Sequence, residues 1–252
     1  FEAAGQLSQD SGLEDMLIAF PADEQGNTPF NEALAVFIPK KVAHRANGIG
    51  FHKPGEVRPL SIVNTDNRLM ANAIRLRVEP LLAQAVSPMQ RGFLPGRSML
   101  QNVVEVDGEM RAASLLEDPS GAVFFDFAAA FPSLAHDFML AVLQSLQIPR
   151  HIRNFISNLY AGNGCKIAAA GGLHEGFSIR SGIRQGCPLS PLLFALCGDL
   201  LLRRLRTALP EDLLRAYADD TALVTKDVWQ SAAAFVPLFA EFASISGLAL
   251  NL

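Results

Sequence analysis

The sequence predicts an α+β fold in which an antiparallel sheet carries helices on one of its faces. The prediction rests on residues 121–245, whose apolar patterns follow in the order strand, two helices, two strands, helix, strand hairpin and helix. Two of these strands lead into carboxylates, since Asp126 follows the run GAVFF and Asp219-Asp220 lie in AYADDTALV. With the helices on one face of the sheet, the other face is left free to bind a ligand.

The elements of residues 121–245 are delimited by hydrophobic period and by turn-forming residues. The sharpest turn signal is the Asp219-Asp220 pair, which we place at the tip of a hairpin. The predicted elements are a strand at 122–127, helices at about 135–147 and 149–160, strands near 165–170 and 175–180, a helix from Pro188 or Leu189 to about 208, the hairpin at 213–225 and a helix at about 228–245.

Residues 34–120 predict a second, mixed α/β unit. Strands at 34–39 and 57–63 flank a loop at 40–56 that bears Gly, Lys and His, so the two strands can pair with basic residues near the tip. Helices are predicted at 65–86 and, after a loop at 88–97, up to about residue 116. Residues 1–33 are acidic, with one short helix predicted near 13–20.

The composition indicates a globular protein. Half of the 252 residues are hydrophobic and the mean hydropathy is +0.22, which excludes a disordered chain. Cys165, Cys187 and Cys197 lack the spacing of metal ligands or of a disulfide framework and predict reduced thiols. The most apolar run, 188–205, contains Asp199 and is too short to cross a bilayer, so we expect no membrane partner. Because no signal-peptide pattern follows Phe1, we expect an intracellular protein.

The charge is unevenly distributed along the chain. The net charge is −4, but residues 1–39 hold seven acidic residues and no Lys or Arg. The remaining residues carry 21 basic and 18 acidic side chains, and the basic ones cluster at 40–58, 75–97 and 180–206. Such clusters either contact nucleic-acid phosphates or form solvated faces, and an excess of three positive charges predicts weak binding.

The three carboxylates allow two interpretations from the residues alone. Asp126 can form a turn or cap a helix after its strand, and Asp219-Asp220 can serve as turn residues of their hairpin. Alternatively, carboxylates at neighbouring strand ends can share divalent metal ions, and Mg²⁺ prefers one or two carboxylates together with substrate phosphates. Two metal ions about 4 Å apart are the arrangement used in many phosphoryl transfers.

The segments around these carboxylates carry a resemblance to a known family. Residues 121–135 (GAVFFDFAAAFPSLA), 182–196 (GIRQGCPLSPLLFAL) and 216–224 (AYADDTALV) resemble three successive motifs of reverse transcriptases, most closely those of non-LTR, LINE-type retrotransposons. Upstream, VFIPK, EVRPLSIVNTDNRLMANAIRLRVEPLL and MQRGFLPGRSMLQNV resemble the fingers of the same group, and SGLALNL at 246–252 resembles the start of the next motif. The resemblance covers roughly residues 34–252.

The resemblance implies a polymerase palm, which is an antiparallel sheet with helices on one face, together with α/β fingers. The fingers would be residues 34–120 and the palm residues 121–252, after the acidic segment 1–33. Because the sequence ends within its fourth motif, we expect the palm to be truncated before the thumb, with the thumb absent. Neither an endonuclease nor an RNase H segment is recognised.

The resemblance also assigns the metal ligands. Asp126 and Asp219 would bridge two Mg²⁺ ions, for which Mn²⁺ is a possible substitute. Asp220 would assist, and the backbone carbonyl of Phe127 would supply a further oxygen. One metal ion would favour the attacking oxygen and the other the leaving group.

The residues assigned to the substrates are spread over the whole resemblance. Arg58 and Lys40 would bind the triphosphate, with Lys41, Arg45 and Lys53 as competitors for the role of Lys40. Phe131 would exclude a ribose 2′-OH, or would be a plain core residue. The nascent base pair would be lined by Gln185 and Gly186, and Tyr217 would pack beneath the primer end, unless Gly186 and Tyr217 serve only a turn and a strand. Arg91 and Arg97 would contact template or primer, or would be solvated loop residues.

The implied function is that of an RNA-directed DNA polymerase, with an RNA template, a DNA primer and dNTPs as its partners, in the nucleus or the cytoplasm. The rival hypotheses are an inactive retroelement remnant, a domesticated nucleic-acid-binding module and, among enzymes, a group II intron maturase. One departure is Pro132, which stands where the family commonly has an acid. We therefore expect the 252-residue chain to be weakly active or inactive.

Overall fold

The computed structural model describes residues 29–47, 49–117, 119–169 and 171–251. Residues 1–28 of the acidic segment 1–33, which include the helix predicted near 13–20, lie outside the described residues. The strands are β1 (Ala33–Pro39), β2 (His44–Ala46), β3 (Ile49–Phe51), β4 (Val57–Val63), β5 (Gly121–Phe125), β6 (Asn163–Ala169), β7 (Gly172–Ile179), β8 (Leu213–Tyr217) and β9 (Asp220–Thr225). The helices are α1 (Thr65–Ala85), α2 (Met99–Leu115), α3 (Ala130–Ser133), α4 (His136–Ser145), α5 (Arg150–Tyr160), α6 (Ser190–Ala208) and α7 (Val228–Ser246).

The sheet that bears the carboxylates has three antiparallel strands in the order β5-β9-β8. Side chains alternate between its two faces, as a strand requires. Phe125 points into the core, where its ring lies 4.6 Å from that of Phe239 and 5.0 Å from that of Phe235 on α7. Phe124 points the other way and is 70% exposed. The face opposite α7 is therefore exposed at β5, whereas helix α2 packs against β8 and β9 on that face through the pair of Glu105 and Arg215.

The core lies between this sheet and helices α4 to α7. Helix α6 contributes the largest share, because eleven of its nineteen residues are buried. Its polar member Asp199 is also buried, where it accepts hydrogen bonds from the backbone and hydroxyl of Ser87 and pairs with Arg203. A buried carboxylate with this many donors is a satisfied structural group. Asp199 therefore ties α6 to the loop that follows α1.

A second sheet has four strands in the order β4-β1-β6-β7. Strands β1 and β4 pair antiparallel, which confirms the hairpin predicted for 34–39 and 57–63. Strand β6 pairs parallel with β1 and antiparallel with β7. The strands predicted near 165–170 and 175–180 thus join residues 33–63 rather than the carboxylate-bearing sheet. The prediction that counts them with the carboxylate-bearing sheet is wrong, because hydrophobic periodicity identifies a strand but not its neighbour.

Most predicted boundaries agree with the structure to within three residues, but several short elements were missed. Residues 40–56, predicted as a loop, contain the short hairpin β2-β3 and a 3₁₀ turn at Pro54–Glu56. Residues 130–133, which follow Asp126 closely, form the short helix α3, and its single turn is too brief to show a helical period. Strand β5 ends at Phe125, so Asp126 lies just beyond its strand.

Helix α7 is long and strongly apolar. Among the described residues it is the one helix whose length and composition would suffice to cross a membrane. Its buried face consists of Ser231, Phe235, Phe239, Phe242 and Ser246, which recur at helical spacing. The three Phe rings of that face belong to the main core. Part of the apolar character of α7 is thus used in packing against the sheet.

Candidate active site

The three carboxylates meet at one end of the three-stranded sheet. Strands β5 and β9 are paired up to Phe125 and Thr221, so the next residues along the register are Asp126 and Asp220. Asp220 also pairs with Tyr217 on β8, and Asp219 lies in the turn between these two strands. Asp126 lies about ninety positions before Asp219 and Asp220 in the sequence, and the antiparallel pairing of β5 with β9 brings the three residues to the same edge.

The electrostatics of Asp219 reflect this proximity. Partial burial raises the pKa of Asp219, and the negative charges of Asp220 and Asp126 raise it further. A backbone hydrogen bond and the positive charge of Arg58 act in the opposite direction on this pKa. A carboxyl group with two like charges nearby favours a bound cation or proton. Arg58, an exposed residue of β4, thus lies near enough to the carboxylates to affect them.

Asp126 is held by the last described residues of the chain. The backbone N–H of Asn251 donates to the carbonyl of Asp126 at 2.8 Å, and its side-chain Nδ2 donates to Oδ2 of the carboxylate at 3.2 Å. Phe127 and Leu250 form an antiparallel bridge, and Ala128 donates to the carbonyl of Ala249. Residues 249–251 therefore act as a short strand beside residues 126–128. Sequence reasoning missed Asn251, because nothing in its local pattern marks this pairing.

Phe131 lies in an aromatic cluster next to the carboxylates. Its ring is stacked on that of Phe194 with centroids 5.0 Å apart and an interplanar angle of 6°. The edge of Phe93 approaches it at 6.4 Å, and Phe93 in turn lies 5.9 Å from Tyr217. Phe131 is only partly buried, so it is both a packed residue and a part of the site surface. Phe93, half exposed between Phe131 and Tyr217, was not predicted as a site residue.

The loop that carries Gln185 is fixed to helix α3 and to strand β4. Ile183 donates to the carbonyl of Phe131 at 2.7 Å, and Ser61 of β4 donates to the carbonyl of Gln185 at 3.1 Å. Gly186 has φ +119°, a conformation that favours glycine, and a Cβ there would approach the carbonyl of Ser61. Gln185 thus lies between the aromatic cluster and strand β4. A groove of about 320 Å³ opens beside it and is also lined by Phe37, Ser61 and Arg180.

The neighbouring Arg184 is buried and anchors this loop. Its guanidinium donates to the carbonyl of Leu159 at 2.7 Å and to the side-chain oxygens of Asn31, Asn67 and Asn163. The guanidinium carbon also lies 5.6 Å from the ring centroid of Tyr160. Burial lowers the pKa of Arg184. Arg184 therefore belongs to the scaffold and not to the basic surface that its sequence cluster suggested.

Two of the predicted template or primer residues are also engaged inside the protein. Arg97 donates to four backbone carbonyls, those of Ala83, Val86, Ser87 and Gln90. Arg91 pairs with Glu105 at 2.7 Å and donates to Asn102 at 3.0 Å. The alternative expectation, solvated loop arginines, is wrong for both, because both guanidinium groups are held by hydrogen bonds within the chain.

The predicted triphosphate ligands lie on the hairpin of β1 and β4. Arg58 pairs in register with Ile38 and is exposed, as is Lys40 just beyond the end of β1. The competing cations Lys41, Arg45 and Lys53 are exposed as well. The positive charge of Arg58 lowers the pKa of Asp219, so Arg58 lies within electrostatic reach of the carboxylates. The hairpin tip is therefore a basic surface that is free to meet an anion.

Comparison with known proteins decides the family. The profile of the family described as reverse transcriptase (RNA-dependent DNA polymerase) matches residues 38–252, which is most of the chain. The chain belongs to the reverse transcriptase family. The resemblance carried by the sequence motifs is thereby confirmed, and the carboxylates described above lie in the matched region.

The curated relatives of this reverse transcriptase domain are retrotransposon proteins of the non-LTR type. The chain is 30% identical over 234 residues to the Pol polyprotein of the type-2 retrotransposable element R2DM of Drosophila melanogaster, with 90% of the chain and 21% of that protein covered. It is 29% identical over 180 residues to the 149 kDa protein of transposon TX1 of Xenopus laevis, with 68% of the chain and 14% of that protein covered. The chain thus spans about a fifth or less of these relatives.

Solved structures confirm the fold of the reverse transcriptase domain. Apo telomerase of Candida tropicalis superposes with a TM-score of 0.64 at 12% identity, covering 99% of the chain and 48% of the telomerase chain. A form of that telomerase truncated from its C-terminal domain gives 0.63 at 14% identity, over 88% of the chain and 49% of the other. These similarities confirm the predicted α+β architecture of a polymerase palm with fingers.

Reverse transcriptase domains generally use divalent metal ions, and the carboxylate edge fits such an ion in its chemistry. Its donors are carboxylate oxygens, which Mg²⁺ prefers, and partial burial together with the charges of Asp220 and Asp126 raises the pKa of Asp219. Within the described residues, no group of three or more His, Cys, Asp or Glu side chains is close enough to form a metal cage. Mg²⁺ is often bound by one or two carboxylates together with substrate phosphates. This mode of binding agrees with the carboxylate donors and with the lack of a full protein cage among the described residues.

Proposed function

We propose that this chain carries the nucleotide-addition site of an RNA-directed DNA polymerase from a non-LTR retrotransposon. The site would join deoxynucleotides from dNTPs to the 3′-OH of a DNA primer, directed by an RNA template. The observation that supports this most is the convergence of Asp126, Asp219 and Asp220 at one sheet edge, with the aromatic cluster and the Gln185 loop beside it.

In this proposal Asp126 and Asp219 hold two Mg²⁺ ions, which when bound stabilise the charge on the attacking and leaving oxygens. Asp220 adds negative charge next to Asp219, and the carbonyl of Phe127 supplies a further oxygen. The triphosphate is bound by Arg58 and Lys40, since a guanidinium offers a planar pair of donors to phosphate oxygens. Positioning and electrostatics are the main contributions of a protein to phosphoryl transfer.

The sugar and base of the incoming nucleotide would lie on the aromatic cluster. Phe131 would exclude the ribose 2′-OH, because its stacking on Phe194 fixes the ring in place. Gln185 and Gly186 would line the nascent base pair, and Tyr217 would support the primer end. We retain Arg91 and Arg97 as supports of the surrounding loop and do not propose that they contact template or primer.

The palm and fingers would divide near residue 120, as the family resemblance implies. The four-stranded sheet crosses this boundary, because β1 of the fingers pairs with β6. The two parts would then act as one unit in placing the nucleotide. Pro132 is compatible with this arrangement, since it lies in the single turn of α3, where a proline is tolerated. A proline in place of an acid therefore leaves the local backbone intact.

The test is primer extension on an RNA template with dNTPs and Mg²⁺, using the longest form in which the protein is made. We expect extension that requires the template and disappears in Asp219→Asn. The matched control is Asp137→Asn, which changes an exposed carboxylate on α4. No extension by a folded protein would overturn the proposal. Salt-sensitive RNA binding that survives Asp126→Asn, without extension, would then indicate a binding module instead.

A further inference from the structure

The residue before Asp219 has a backbone conformation that needs support. Ala218 has φ +56°, in the left-handed region that residues other than glycine seldom adopt. This conformation is unfavourable for an L-residue, because it brings Cβ close to the backbone carbonyl oxygen. A strained backbone at a functional site persists only where the surrounding structure fixes it. The surroundings of Ala218 therefore contribute to where the Asp219 carboxylate points.

A single side chain satisfies both polar backbone atoms of Ala218. The amide of Gln90 donates from Nε2 to the carbonyl of Ala218 at 3.0 Å, and its Oε1 accepts from the N–H of Ala218 at 2.8 Å. The same Oε1 accepts from the N–H of Gly92 at 2.8 Å. Gln90 is 1% exposed, so water does not compete for these bonds. The amide acts as a two-point clamp on one residue of the turn.

The backbone around Gln90 adds a second attachment to the same hairpin. Ala216 donates to the carbonyl of Met89 and accepts from Arg91, each at 2.9 Å, so that Gln90 and Ala216 form a parallel bridge. Gly92 lies so close that a Cβ at this position would clash with the backbone of Tyr217 and Ala218. Residues 89–92 thus lie against β8 up to the turn that bears Asp219.

The loop that presents Gln90 is itself anchored. The guanidinium of Arg97 joins four carbonyls of residues 83–90, including that of Gln90 at 2.6 Å. Asp199 on α6 accepts from the backbone and hydroxyl of Ser87. The clamp therefore connects the turn to the helical core by fixed hydrogen bonds rather than by a free loop.

We propose that Gln90 is a positioning residue, which holds Ala218 in the left-handed conformation and thereby orients the Asp219 carboxylate toward a divalent cation. The inference rests on the proposed function for the identity of that cation. Only an amide of this length can both donate to and accept from Ala218, because a carboxylate lacks the donor and Asn is shorter by one methylene. The role is distinct from that of the residues that would touch the nucleotide.

The test compares Gln90→Met with wild type and with Gln101→Met, a matched change at an exposed position on α2. Met nearly preserves the volume but removes both hydrogen-bonding groups. The first readout is hydrogen exchange at the amide of Ala218, which needs no activity. The second is the Mg²⁺ concentration for half-maximal primer extension, which we expect to rise at least about 10-fold, since partners that orient a metal ligand contribute on that scale.

Adding Ala218→Gly to Gln90→Met separates positioning from general loss of stability. Glycine adopts a positive φ without steric cost, so it should lower the Mg²⁺ requirement again although it stabilises nothing else. Faster exchange at Ala218 with a raised and partly rescued Mg²⁺ requirement supports the inference. If the wild-type protein extends primers and Gln90→Met needs the same Mg²⁺ concentration, the inference is overturned. The proposed function then still stands.

Two further outcomes are also decisive. If the wild type does not extend a primer, the proposed function has failed, and hydrogen exchange at the amide of Ala218 alone tests the clamp. An Ala218 amide that stays protected from exchange in Gln90→Met overturns the clamp. An Ala218 amide that loses its protection in Gln90→Met supports the clamp. If Gln90→Met does not fold, Gln90→Asn takes its place, because it keeps both hydrogen-bonding groups but is one methylene too short to reach Ala218. The same two readouts then apply.

Discussion

At the scale of the residue, Asp219 combines a chemical role with an unfavourable environment. Its carboxyl group is partly buried and faces the charges of Asp220 and Asp126, which together raise its pKa. Functional sites often hold groups whose charges disfavour the folded state in the absence of a ligand. The same features that suit Asp219 for a cation should therefore lower the stability of the protein without one.

Asp219→Asn should raise the melting temperature at pH 7 in the absence of metal, since it removes the repulsion. A carboxyl group with a raised folded-state pKa contributes stability below its unfolded pKa of about 4, and loses that contribution as the pH rises through the folded pKa. The advantage of the Asn variant should therefore shrink as the pH falls through the folded-state pKa, and little of it should remain below about pH 4. Thermal unfolding at pH 7 and pH 3.5 measures this. A variant less stable than wild type at pH 7 would contradict it.

At the scale of the element, the hairpin β8-β9 depends on a close approach by residues 89–92. Gly92 has to be a glycine for steric reasons, because a Cβ there would clash with backbone atoms of Tyr217 and Ala218. The sequence predicted the hairpin and its acidic tip correctly. The contact of residues 89–92 with β8 could not be predicted, because the segment QRGF at 90–93 has no hydrophobic period that indicates pairing with residue 216.

Gly92→Ala should displace the turn and reduce the primer-extension rate by at least about 10-fold, since misplacement of a reacting group by about 1 Å can cost 100-fold. The control is Gly108→Ala in α2, where a Cβ meets no atom within 4 Å, and which should extend at the wild-type rate. Rate measurements at saturating dNTP compare the two variants. Wild-type rates for Gly92→Ala would mean that the approach of residues 89–92 has no bearing on the site.

At the scale of the whole molecule, buried polar contacts join the parts that the sequence assigned to fingers and palm. Arg184 reaches Asn31 and Asn67 on one side and Leu159 and Asn163 on the other. The basic cluster at 180–206 predicted either a contact with nucleic-acid phosphates or a solvated face, but Arg184 is buried, whereas Arg203 and Arg204 are exposed and pair with acids. Composition gives the number of charges in a segment, whereas only the tertiary fold decides which of them reach solvent.

Arg184→Ala should destabilise the fold by roughly 3 kcal/mol or more, since it leaves several buried acceptors without a donor. It should lower the stability of the whole molecule in one cooperative transition, because the shared sheet couples residues 33–63 to 163–179. The control Arg204→Ala breaks a surface pair and should cost less than about 1 kcal/mol. Denaturant unfolding decides the point. Equal effects of the two variants would show that Arg184 is not a structural anchor.

The sequence predicted the order of most elements and the motifs that carry the family resemblance. Those signals are local, because a strand period, a turn residue or a short motif is complete within a few positions. The parts that escaped prediction are contacts between distant segments. Three such contacts join residues more than 120 positions apart: Asn251 with Asp126, Gln90 with Ala218, and β1 with β6. A single sequence carries no local trace of such contacts.

The most direct test of the central claim is single-nucleotide addition by Asp126→Asn, Asp219→Asn and the double variant on an RNA template with Mg²⁺. If both carboxylates serve one nucleotide-addition site, each single change should lower the rate roughly 1,000-fold, and the double change should cost little more than either one. A single variant that adds nucleotides at the wild-type rate would contradict the account, because that carboxylate would then lie outside the reacting centre.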